Sequence, residues 1–119
     1  MRFVMLMLLA LHVEADNMSS LLYNGNCVAC HKDTKAVSAP SMKEIRTRYK
    51  QVFENKKDFV SYMSKWVIEP DEQTSLMHDA IDKYGLMPHL AFDEQTLVDI
   101  SSYIYETDFT KHGGRYWSK

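Results

Sequence analysis

Apolar residues recur every three or four positions in five separate stretches of this chain, and that period predicts helices. Met18, Leu21, Leu22 and Gly25 form the first stripe. The second opens at Ser41-Met42-Lys43-Glu44, a capping-box pattern, and runs to about Phe53 through Met42, Ile45, Tyr49 and Val52. Phe59, Val60, Met63, Trp66 and Val67 trace a third, stopped before Pro70. Leu76, Met77, Ala80, Ile81 and Tyr84 mark a fourth, predicted to begin at Asp71 and to end at Gly85. On this pattern Met77 is a core residue. The last is the best specified: Asp93 is a fitting N-cap, Phe92 and Leu97 form a hydrophobic staple, and Leu97, Ile100, Tyr103 and Ile104 point inward. No apolar–polar alternation marks a strand, so the expected class is all-α.

The N-terminus obeys a different rule. One cation, Arg2, precedes an apolar run from Phe3 to Leu11, and Val13-Glu14-Ala15 comes next. That order predicts a signal peptide over residues 1–15, cleaved to leave Asp16 first, and hence export to the periplasm. The run is too short to span a bilayer, so no transmembrane anchor is expected. What remains is one domain, 16–108, and then a tail, 109–119, with no evident role and mobile by default. Four glycines and three prolines suit helices, and a formal net charge of −2 excludes the electrostatic footprint of nucleic-acid binding. Lys43, Arg46, Arg48 and Lys50 cluster on the second helix; a solvated face is favoured over a docking patch. His78, His89 and His112 read as solvated histidines.

Both cysteines lie in Cys27-Val28-Ala29-Cys30-His31. A disulfide across two residues closes too short a loop to stabilise much, so the pair reads as reactive or ligated. A thioredoxin-like dithiol needs a preceding strand, and the residues before Cys27 read as helix. Structural zinc takes four protein ligands, and this stretch supplies at most three. Covalent haem fits: on one helical turn both thiols share a face, and His31 comes directly after as an axial ligand. C-x-x-C-H is the attachment pattern for c-type haem. Among the methionines available for the opposite position, Met87 stands out in Tyr84-Gly85-Leu86-Met87-Pro88, where proline biases it to an extended loop.

Together, Cys27-Val28-Ala29-Cys30-His31 near the start, Met87-Pro88 before the last helix, and Tyr103 within that helix resemble a small single-haem class I cytochrome c of the bacterial, periplasmic type. The resemblance implies that helices and loops wrap one covalently bound haem c. It implies thioethers at Cys27 and Cys30, axial iron ligation by His31 and Met87, and Pro40 packed on the proximal histidine. It further implies that the first and last helices cross through Ser19, Tyr23 and Tyr103, with serine where the family usually has glycine. Trp66 is either a propionate donor or a core residue. The expected function is single-electron transfer between periplasmic donor and acceptor proteins, without an enzyme activity of its own, as a monomer or in transient complexes. A subunit of a larger oxidoreductase, or a haem sensor or peroxidase-like protein lacking Met87 ligation, is the alternative.

Overall fold

The computed structural model describes residues 18–111. The expected signal segment 1–15, the mature start at Asp16, His112 and the tail from 112 onward lie outside them. Among the described residues the chain is all-helical, without strands. Residues 18–26 are helical (α1), and after them come α2 (Met42–Val52), α3 (Lys56–Ile68), α4 (His78–Tyr84) and α5 (Glu94–Glu106).

The helices α2, α3 and α5 each start at a side chain that satisfies an otherwise orphaned N–H. Ser41 Oγ accepts from Glu44 N at 3.2 Å, Asn55 Oδ1 from Asp58 N at 2.9 Å, and Asp93 Oδ2 from Thr96 N at 3.0 Å. At the other end of α5 the last carbonyls are met by a residue far away in sequence. Arg46 Nε donates to Ile104 O at 2.9 Å and to Tyr105 O at 3.1 Å, and Nη2 donates to Tyr105 O at 2.8 Å.

Among α2 to α5, the α3–α5 pair makes the most extensive helix contact. Ser64 on α3 and Ser101 on α5 are both fully buried, and their small side chains allow close approach. Phe59, Met63, Ile100 and Ile104 supply apolar mass on either side. A ring cluster joins this pair to α2: Tyr49 meets Phe59 edge-on at 5.5 Å, Phe53 lies 5.1 Å from Tyr62, and Phe59 lies 5.2 Å from Tyr105. Such pairs add roughly 0.5–1.5 kcal/mol each beyond the area they bury.

α1 meets α5 through Tyr23, whose ring lies 5.1 Å from that of Tyr103. The side of α1 that packs inward carries Tyr23, Leu22 and Cys27. Met18 and Leu21, half of the expected stripe, instead lie 58% and 67% exposed. The reason is the second ring on Tyr23: Phe109, 5.4 Å away and 2% exposed, fills the space beside it and sets which face turns in. The packed body therefore extends past the expected boundary at 108 to Phe109. Val52, expected inward on α2, is likewise exposed.

The fourth helix is shorter than its pattern. Residues 72–74 form a turn and only His78–Tyr84 is helical. Asp71 Oδ1 accepts from Gln73 N at 2.8 Å and Ser75 Oγ from Met77 N at 3.0 Å, local bonds that compete with helix formation. Met77 is buried as expected, but at the N-cap of α4 instead of inside a helix.

Candidate functional site

Residues 27–31 continue α1 by one more turn. Cys27 N donates to Tyr23 O at 3.0 Å, Cys30 N to Cys27 O at 3.3 Å and His31 N to Cys27 O at 2.8 Å. The turn sends Val28 into the core and brings Cys27, Cys30 and His31 to the wall of a cavity of about 250 Å³. Both cysteines are free thiols. Burial, and secondarily the neighbouring Cys30, pushes the Cys27 thiol up to about 11. A dithiol redox centre needs the opposite, a thiol with a lowered pKa that ionises readily.

The His31 ring is oriented by the loop that comes after it. Its Nδ1 lies 2.8 Å from Pro40 O. A carbonyl only accepts, so Nδ1 carries the hydrogen and Nε2 keeps its lone pair. Burial holds the imidazole below the ordinary histidine pKa, with the bond to Pro40 opposing the shift. The ring is thus neutral at neutral pH, the form that binds a metal. The loop carrying the carbonyl is pinned by Met42 N to Lys32 O and Lys43 N to Asp33 O, both at 2.9 Å. Tyr23 adds a hydrogen bond from its hydroxyl to Asp33 Oδ1 at 3.2 Å. Pro40 itself also lines the cavity.

Met87, remote in sequence, lines the same cavity. It comes two residues after Gly85, whose φ of 87° and ψ of 169° is open essentially to glycine alone. Met42, Ile45 and Tyr49 from α2, Met63, Trp66 and Val67 from α3, and Leu97, Ile100 and Ile104 from α5 complete a wall that is almost entirely apolar. Trp66 presents its ring there, while its indole N–H donates to Asp71 O at 3.0 Å. Its polar atom is therefore committed to the backbone. A second thioether, Met77, lines the cavity as well.

The cation cluster on α2 is neither a free patch nor a simple solvated face. Arg46 caps α5, Arg48 pairs with Asp79 at 2.7 Å, and Lys50 sits 4.4 Å from the centre of the Tyr105 ring. His78 and His89 are exposed. Among the described residues no group of three or more His, Cys, Asp and Glu side chains gathers as a metal site, and no helix is long and apolar enough to cross a membrane.

Comparison with family models, curated proteins and solved structures found no match for this chain. The site's chemistry stands on its own residues. Two free thiols on one turn, an imidazole with one nitrogen committed and the other free, a thioether and apolar walls form a donor set that fits a covalently attached haem.

Proposed function

We propose that this chain is a single-electron carrier built as a class I cytochrome c around one covalently attached haem c. The observation that carries the reading is that Cys27, Cys30, His31 and Met87 all line one apolar cavity, with His31 Nδ1 bonded to Pro40 O. When bound, haem would supply a one-electron iron couple whose potential is set by axial ligand, burial and surroundings.

The chain's residues divide the remaining work. Cys27 and Cys30 would hold the group through thioethers on one face of the turn. His31 would offer Nε2 as the proximal ligand, and its bond to Pro40 fixes the ring's orientation and strengthens its donor character. Met87 would supply a soft thioether ligand, the type that favours electron transfer and raises the potential. The apolar walls exclude water and so disfavour the more highly charged oxidation state. Donor and acceptor would be periplasmic redox proteins, met in small, short-lived contacts.

The experiment is the visible spectrum of the purified holoprotein in both oxidation states. A thioether–iron charge-transfer band in the oxidised form, and no ready binding of carbon monoxide when reduced, are expected. Ready carbon monoxide binding by the native reduced protein would favour a sensor or peroxidase-like protein. A colourless product from a host with a working haem-attachment apparatus, or protein without iron, overturns the reading altogether.

A further inference from the structure

The two methionines of the cavity are held very differently. Met77 is 7% exposed and its backbone is fixed on both sides. Its N–H donates to Ser75 Oγ at 3.0 Å, and its carbonyl accepts from Ala80 N at 3.1 Å and Ile81 N at 3.2 Å. The segment leading to it is stapled from α2 and α3. Trp66 Nε1 bonds Asp71 O, the Tyr62 hydroxyl bonds Thr74 O, and Arg48 Nη2 bonds Leu76 O. Met87 is half-buried on a stretch, 85–93, without helix or strand. Among the described residues, the hydrogen bonding within 86–92 is one contact, Ala91 N to His89 Nδ1 at 3.3 Å. Few backbone bonds and high exposure mark segments that open at low cost.

We propose that Met77 is a reserve thioether ligand for the same iron, taking the axial position whenever the Met87 loop swings away. The inference rests on the haem reading above. In the exchange one iron–sulfur bond breaks and another forms, and no electron or proton moves. A thioether has no titrating proton, so the exchange is independent of pH, unlike capture by a histidine or lysine. Because the donor type is unchanged, the iron keeps a soft ligand and stays closed to small oxygen ligands while the loop is open. Burial and the staples around Met77 hold the second sulfur's residue in the wall of the same cavity.

The test uses the full-length holoprotein with leucine substitutions, which keep side-chain volume but remove sulfur. Met87→Leu is expected to retain a thioether–iron charge-transfer band, unchanged on either side of the ordinary histidine pKa of about 6.5. Met77→Leu is expected to match the native spectrum, and the double variant to lose the band and bind carbon monoxide readily when reduced. Loss of the band in Met87→Leu alone overturns the proposal. So does its replacement by a pH-dependent nitrogen-ligated spectrum. If Met77→Leu loses the band while Met87→Leu keeps it, Met77 is the resident ligand and the reserve role is overturned. Covalent attachment is read separately from the haemochrome spectrum of the denatured native protein. Absence of attached haem there overturns the parent reading, whereas attachment with failure of the variant series overturns only this inference.

Discussion

Replacing Arg46 by methionine would keep most of its apolar stem and remove the donors that cap α5. Three hydrogen bonds go with it, to Ile104 O and Tyr105 O at 2.8 to 3.1 Å. Both carbonyls belong to the last turn of the helix, where the chain supplies no continuing N–H. Ile104 O retains a long bond from Thr107 N at 3.4 Å, and Tyr105 O is left to water. A hydrogen bond to a charged donor contributes roughly 1.5–3 kcal/mol when its partner is stranded, and a cation at a helix C-terminus about 0.3–1 kcal/mol. Arg46 is half-exposed, so water recovers part of the loss. The expected cost is about 2 kcal/mol, or roughly 8–16 °C in Tm for a domain of this size. Arg46→Lys keeps the charge but loses the planar fork, and should lose about half as much. Denaturation monitored by circular dichroism, on samples matched in visible absorbance, measures both. A methionine variant within about 0.5 kcal/mol of the native protein, the range of an ordinary surface change, refutes the assigned role. Equal losses for lysine and methionine would show that the charge alone contributes nothing and that the fork carries the whole effect.

Two further outcomes come from backbone and burial. At Gly85 an added Cβ meets nothing within 4 Å, so Gly85→Ala tests backbone strain alone. It should cost about 1–3 kcal/mol and, on the proposed haem reading, weaken the Met87 thioether band by re-aiming the loop; an unchanged melt and spectrum would contradict this. Burial raises the pKa of Tyr23, assisted by the Asp33 carboxylate, and burial raises that of Tyr49. The unfolded chain therefore releases these protons first, so the stability they contribute is complete below about pH 10 and declines as pH rises above it. Ultraviolet difference absorbance should show these two phenols ionising only as the helical circular dichroism is lost; early ionisation of every tyrosine would refute the burial argument.

The parts of the fold that are legible in the sequence are those governed by neighbours a few residues apart. Ser41, Asp93 and Gly85 mark helix ends because caps act over a single turn, and all three stand at helix ends in the structure. The stretch 71–77 departs from its pattern because apolar spacing there suits a helix, while Asp71 and Ser75 divert the backbone into turns held by Trp66 and Tyr62. Arg46 has the sequence surroundings of a surface cation, since nothing local announces that its partners lie in the last helix. The face of α1 is hidden from the sequence for a related reason. Phe109 lies beyond every periodic stripe, and only the assembled chain reveals that it backs Tyr23. At the candidate site, the two thiols and His31 are a local motif and can be read directly. The joining of Met87 to them, and the presence of Met77 in the same cavity wall, depend on tertiary packing.

The clasp of Tyr23 between Tyr103 and Phe109 sets an order on the birth of the molecule. A ribosome works from the N-terminus, and the covering rings for α1, Tyr103 and Phe109, follow Tyr23 by 80 and 86 residues, so they are made long after it. Until then the apolar side of α1 has no partner, and native contacts this distant in sequence close late. The turn bearing both thiols hangs from that same unsecured helix. It stays open to modifying enzymes until Tyr103 and Phe109 close over Tyr23, and is drawn in only by that late contact.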